Sequence, residues 1–282
     1  MVKERSNLER ERNVQTVMSF PPPRRFARYL ADHRVFRDIF ELSLVAIAFL
    51  FYFLVRGSAV DRTGQAINRA VRIIALEQTW GFFWELHLQA LIMGSRALVQ
   101  LFNAIYFWLD FPLIVVVGLW LYFWRRRQYT LTRDAMLTSG AIALVIYHFF
   151  PVAPPRLLSG FGFVDTLAVF SNLSYQAQST QPFVNPYAAV PSLHVGWAFL
   201  LTLGIISATR SKPIWLLAAL LPVAQFVAIV VTGNHFIFDA IIGLVVCSIG
   251  LVIAIMLQRY GYAYLRHWLL PEPAMEVRAN KA

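Results

Sequence analysis

The stretch Thr232-Gly233-Asn234-His235-Phe236-Ile237-Phe238-Asp239 sets a histidine and a carboxylate four residues apart inside an otherwise apolar run. On a helix, positions i and i+4 share a face. An ionisable pair at membrane depth is costly enough to point to function, although for a pair taken alone a His–Asp bond that merely ties two helices together is an equal reading. A second histidine shifts the balance. It stands in Val190-Pro191-Ser192-Leu193-His194, where a polar loop passes into a new apolar segment. Pro191 suits the first turn of a helix, and a helix starting there gathers Ser192, His194 and backbone amides at its positive end, an outline of an anion site.

A third element, Pro151-Val152-Ala153-Pro154-Pro155-Arg156, is a rigid turn that fixes where Arg156 points. The chemistry open to these side chains is specific. A histidine held by Asp239 is a nucleophile or base of set orientation. A second histidine can protonate a leaving oxygen. An arginine, a serine hydroxyl and helix-start amides can hold the non-bridging oxygens of a phosphoryl group. Together they describe phosphoryl transfer through a covalent phosphohistidine, with no metal and no cofactor required. The sequence has no Gly-rich nucleotide loop, no cysteine pair and no HExxH. Its single cysteine, Cys247, reads as a packing residue.

The elements that must carry these residues are membrane helices. Hydrophobic residues make up 58% of the chain and charged ones 14%, and the apolar runs are long enough to cross about 30 Å of hydrocarbon. The expected fold is all-α: a polytopic membrane protein with six transmembrane helices. The spans fall near 40–55, 98–124 (kinked at Pro112), 135–150, 192–208, 213–231 and 237–257. Between the first two, residues 61–96 alternate apolar and charged positions around Trp80 and Trp84, as amphipathic helices lying in the interface do. Residues 1–37 form a basic cytoplasmic arm, 38–258 the six-helix membrane domain and 259–282 a cytoplasmic tail. No apolar run follows Met1 closely, so no cleaved secretory signal is expected.

The formal charge of +10 suggests a membrane surface rather than nucleic acid, because the basic residues cluster beside apolar segments. Most of the 25 Lys and Arg fall in the arm, the 125–133 turn, the 210–212 turn and the tail. By the positive-inside rule that side is cytoplasmic, with both termini on it. Arg156, His194 and His235 then meet at the outer face, extracytoplasmic in what reads as a bacterial plasma membrane. Asp110 is a further ionisable group near membrane depth, with no partner legible in the sequence.

Pro191-Ser192-Leu193-His194 and His235-x-x-x-Asp239, preceded by Arg156, resemble the signature motifs of the phosphatidic-acid phosphatase type 2 superfamily. The forms Phe150-Pro151-x-Ala153-Pro154-Pro155-Arg156 and Val190-Pro191-Ser192-Leu193-His194 look closest to the inositol phosphorylceramide synthase branch, a relative of the sphingomyelin synthases. The resemblance implies that His235 attacks phosphorus, Asp239 orients it, His194 protonates the departing alcohol, and Arg156 and Ser192 bind phosphate. Phe149 stands where the first motif usually has lysine, and Ala228-Ile229 where the third usually has Ser-Arg. A less cationic cradle suits a phosphodiester donor, and His148 and Tyr187 are candidates to fill in as substrate-binding residues.

Four functions stay open on the sequence. The first is a lipid phosphotransferase that moves a phosphoryl-linked head group from a membrane phospholipid to a lipid or polyol alcohol, a metal-independent enzyme in which inositol phosphate is one candidate group. The second is a lipid or polyprenyl phosphate phosphatase with water as acceptor. A proton-coupled transporter would spread its charges along a path through the membrane, whereas these gather at one end. A non-catalytic membrane protein is the fourth.

Overall fold

The computed structural model describes residues 38–39, 41–48, 50, 62–170 and 186–262, and the expectations placed on the basic arm and on the tail beyond 262 lie outside them. The chain divides into two units, Ala48–Leu257, which holds the site, and Met1–Ile47 with Gln258–Ala282. In the latter, residues 41–47 are helical, within the first predicted span; residues 51–61 of that stretch are not among those described.

The α-helices of the site-bearing unit follow in the order α1 (Thr63–Trp80), α2 (Glu85–Met93), α3 (Arg96–Trp108), α4 (Phe111–Trp124), α5 (Arg126–Phe149), α6 (Thr166–Phe170), α7 (Leu193–Ala208), α8 (Lys212–Val231) and α9 (Ile237–Met256), and no strand lies among its described residues. Two short 3₁₀ turns, Pro155–Leu157 and Ser159–Phe161, lie between α5 and α6. Among the described residues two helices, Lys212–Val231 and Ile237–Gly261, are long and apolar enough to cross a membrane, and α3 with α4, bent by 41°, makes a third if the pair is one broken span. The break falls just before Pro112, which takes the first turn of α4, where its missing N–H leaves no hydrogen bond unmade. The other predicted spans fall short of this standard for physical reasons. Helix α5 opens with Arg126, Arg127, Arg133 and Asp134, and α7 has 16 residues, roughly 24 Å at 1.5 Å per residue.

Helix α7 packs against α5, α8 and α9, and the contacts are close because glycines line them. A Cβ on Gly243 of α9 would run into the Ser192 backbone, one on Gly196 of α7 would run into Cys247, and one on Gly250 would meet the Ala135 carbonyl oxygen at 2.8 Å. Cys247 is a buried free thiol, as a packing residue should be.

Helices α1 and α2 differ from the interfacial reading. Their Trp80 and Trp84 are exposed, but Ala66, Ala70, Ile73 and Ile74 pack with Val152, Ala153, Phe163 and Phe236 in one buried cluster. Three polar side chains, Glu77, Glu85 and Gln89, are buried as well, while Ile67 and Val71 face outward. The amphipathic stripe is real, yet part of its polar face turns into the protein, because acceptors there meet backbone N–H groups of α9.

Candidate active site

The proline-rich turn after α5 is pinned from two directions. Val152 donates its N–H to the Tyr187 carbonyl at 2.8 Å and accepts from Ala189 N–H at 3.3 Å, and Arg156 N–H donates to the Gly233 carbonyl at 2.7 Å. Gly233 sits at φ 70°, a conformation that favours glycine, and a Cβ there would meet Gln89 Nε2 at 2.9 Å. That glutamine donates to the Val164 carbonyl at 3.0 Å and accepts from Val164 N–H at 2.9 Å. Three segments distant in sequence, the turn before Arg156, the run before Ser192 and the α8–α9 turn, are thereby fastened together.

Arg156, His194 and His235 line one cavity, together with Tyr106, Asp110, Tyr147, Trp197 and Asn234. The Arg156 guanidinium is almost covered. Its Nη1 donates to Asn234 Oδ1 at 2.6 Å, and its Nε lies 3.6 Å from Asp165 Oδ2. The rings of His194 and His235 are 5.3 Å apart, centroid to centroid, and Tyr106 stacks on His194 at 4.6 Å with 23° between planes.

His235 is not itself helical: α9 begins at Ile237, so the pair spans the helix start rather than sharing a helical face. The juxtaposition survives all the same, with His235 Nδ1 3.3 Å from Asp239 Oδ2. Nδ1 also lies 2.9 Å from the Ala189 carbonyl oxygen. A carbonyl can only accept, so Nδ1 carries the proton and Nε2 keeps its lone pair. Burial, helped by the positive charge of Arg156, pushes the His235 imidazole down to about 3 against the pull of the Ala189 bond, so it is neutral at pH 7. The sign of the stability linkage follows. Between about 3 and the unfolded value of 6.5 the unfolded chain binds the extra proton, so this contribution is complete above 6.5 and is lost as pH falls towards 3. The titration of His235 itself therefore adds no limb to the activity between about pH 5 and 8, which a pH profile of kcat/KM checks.

The partner of Asp110 is His194: Nε2 and Oδ2 are 3.3 Å apart, and both side chains are partly open to the cavity. The α3–α4 break places the carboxylate there.

The remaining predicted site residues fare differently. Asp239 is fully buried behind His235, and its Oδ2 accepts from Phe236 N–H at 2.9 Å. Ser192 is not among the residues that line the cavity. Its hydroxyl is fully buried without a hydrogen-bond partner among the described residues, and its N–H is committed to the Asp239 carbonyl at 2.9 Å. Helix α7 starts at Leu193, which places Ser192 rather than Pro191 at its cap. His148 and Tyr187 are also absent from the lining. The Tyr187 hydroxyl pairs with Thr63 Oγ1 at 2.7 Å, and the His148 ring lies edge-on to Phe149. Residues the sequence reading passed over include Asn234, which lies next to a singled-out histidine, and Tyr106, Tyr147 and Trp197, whose aromatic character inside apolar helices carries no distinguishing signal. Among the described residues no group of three or more His, Cys, Asp or Glu side chains is placed to hold a metal ion.

A family model described as the PAP2 superfamily matches residues 71–253. The phosphoinositol dihydroceramide synthase of Bacteroides thetaiotaomicron is 26% identical over 171 residues, 55% of this chain and 55% of that protein, so the match spans about half the length of the relative. No solved structure matches the chain.

Proposed function

From the premise that the chain belongs to the PAP2 superfamily, and so to a family of lipid phosphatases and phosphotransferases, we propose that it transfers a phosphoryl-linked head group from a membrane phospholipid to an alcohol through a phosphohistidine at His235. In the first half-reaction His235 Nε2 attacks phosphorus, the bond from phosphorus to the diacylglycerol oxygen breaks, and His194 gives its proton to the departing alkoxide. Nδ1–H stays on the ring, held by the Ala189 carbonyl and Asp239, and steadies the positive phosphoimidazole. Arg156 holds the non-bridging oxygens. In the second half-reaction His194 takes the proton of the acceptor hydroxyl, that oxygen bonds to phosphorus, and the N–P electron pair returns to Nε2.

The observation that carries this reading is the shared cavity of Arg156, His194 and His235, with His235 held in the tautomer a nucleophile needs. Charge favours transfer over hydrolysis of a monoester. Among the described lining residues Arg156 is the one Lys or Arg, and Asp110 lines the cavity with it. One guanidinium suits a phosphodiester with a single negative charge better than a dianionic monoester. The relative's name speaks of a phosphoinositol group and a dihydroceramide, which makes phosphatidylinositol and a ceramide-like alcohol the first pair to try.

The same reading includes six membrane spans within 38–258, cytoplasmic termini and a site open to the extracytoplasmic side of a bacterial plasma membrane; the basic turn at Arg125–Arg127 and that at Arg210–Lys212 support the orientation. Purified protein given a panel of labelled phospholipids and candidate acceptors tests the function. Label in a new lipid is the expected result; label only in water-soluble form, as head-group phosphate from a diester donor or free phosphate from a monoester, makes water the acceptor and the chain a phosphatase. Asp110→Asn is expected to lower kcat by roughly 10²-fold and leave turnover measurable, because His194 keeps its ring but loses the carboxylate that steadies its charged form. An unchanged kcat in that variant separates Asp110 from the chemistry.

A further inference from the structure

The first turn of α9 has an unusual set of acceptors. Backbone N–H groups at a helix start are ordinarily met by one short polar cap or by water, but Phe236 at the cap has no side-chain acceptor to offer. Instead three consecutive N–H groups go to three carboxylates. Phe236 N–H donates to Asp239 Oδ2 at 2.9 Å, Ile237 N–H to Glu85 Oε1 at 2.8 Å, and Phe238 N–H to Glu77 Oε1 at 2.8 Å. The two glutamates come from α2 and α1, 152 and 161 residues away in sequence. Both are 0% exposed, and Glu77 Oε2 and Glu85 Oε2 have no hydrogen-bond partner among the described residues.

Among the described residues no Lys or Arg forms an ion pair with either. Two buried acids are an expensive way to cap a helix that a serine could cap. The expense falls on the residues that adjoin His235. We infer that Glu77 and Glu85 are positioning residues for the transfer proposed above: from behind the cavity they clamp the first turn of α9 and so set where His235 and Asp239 stand. The inference rests on His235 being the nucleophile.

The protonation of the pair is consistent with a clamp rather than a charge relay. Burial, and then the neighbouring Glu85 carboxylate, push Glu77 up to about 9, so it is neutral at pH 7; burial raises Glu85 too. A neutral Glu77 offers its Oε1 acceptor to Phe238 N–H and its own proton to the neighbouring Glu85; a glutamine also carries one acceptor and a donor, and a shorter aspartate does not reach.

The test uses the whole protein in lipid nanodiscs. Glu77→Ala, Glu77→Asp and Glu85→Ala are expected to lower kcat about 100-fold, the scale of a misplacement near 1 Å, with KM within about threefold of wild type. Glu77→Gln regains most of the rate. Folded Glu77→Asp or Glu77→Ala variants with wild-type kcat overturn the inference, as does a Glu77→Gln variant as slow as Glu77→Ala. Placement is also read without turnover, from the ratio of diethyl pyrocarbonate labelling at His235 and His194 by peptide mass spectrometry. A ratio that shifts severalfold in Glu77→Asp supports the clamp and an unchanged ratio overturns it. Wild-type protein inert on every donor and acceptor sinks the transferase reading instead, so the two failures are told apart.

Discussion

Replacing His235 with alanine is expected to lower turnover by about 10⁴-fold or more with any donor and any acceptor, the size of loss seen when a nucleophile is deleted from a working constellation. Both half-reactions pass through its Nε2, so no change of acceptor, water included, rescues the variant. The side chain is also a buried anchor: its Nδ1–H bond to the Ala189 carbonyl is one of the ties between the α8–α9 turn and the run before Ser192. Leaving that carbonyl without a partner costs about 1–3 kcal/mol, which a thermal melt registers separately from activity. His235→Gln keeps a polar group at the position and is expected to be equally inactive, which separates loss of chemistry from loss of fold. Rapid acid-free quenching of the wild type with a labelled phosphodiester should leave an acid-labile phosphoryl group on the tryptic peptide containing His235, and the variants should leave none. A variant that kept full rate would make His235 structural and the covalent route wrong.

The parts of the site that were legible in the sequence are those set by local pattern. His194 follows a proline-serine pair at the start of an apolar run, and His235 and Asp239 stand four apart; the two histidines line one cavity and the pair is in contact, whatever the detailed start of each helix. Arg156 was legible for a similar reason, since prolines leave its turn few conformations. Ser192 shows the limit. Its place beside His194 suggests a ligand, but the hydroxyl is buried and is not among the residues lining the cavity, and whether a side chain at a helix cap faces a cavity depends on where the helix begins. Asp110 shows another limit: its partner lies on α7, brought close by the bend between α3 and α4, and nothing local to 110 encodes that meeting.

The acids of α1 and α2 mark the deepest failure of pattern reading. A charged position on an amphipathic stripe is ordinarily solvated, and Glu77 alternates with apolar residues as an interfacial helix would have it. What turns it inward is a backbone, the first turn of α9, whose donors need acceptors that Phe236 cannot supply. The burial of an acid is thus decided by an unsatisfied amide far along the chain. The number of spans was under-determined in a related way. Runs such as 135–150 are apolar enough to suggest crossing, but the helix that contains them starts nine residues earlier among charges.

The second large effect concerns His194, and here the leaving group is the variable. With a phospholipid donor the departing alkoxide is a poor leaving group and needs the proton that His194 supplies, so His194→Ala is expected to lower turnover by about 10³-fold. With an aryl phosphodiester such as a nitrophenyl ester the departing phenolate needs no proton, and the first half-reaction should lose roughly tenfold at most. The second half-reaction is different, because the acceptor hydroxyl must still give up a proton and the methyl group left by the substitution cannot take it. The variant should therefore release one equivalent of nitrophenolate in a burst, stall, and accumulate the phosphohistidine to a higher level than wild type, which passes it on to the acceptor. His194 lies beside Asp110 and under the Tyr106 ring, 5.3 Å from His235 between ring centroids, so its removal opens space without loosening the Nδ1 tie that orients the nucleophile. Equal losses with alkyl and aryl donors, or steady turnover without a burst, would assign the proton to another group and leave His194 as a packing partner of Tyr106.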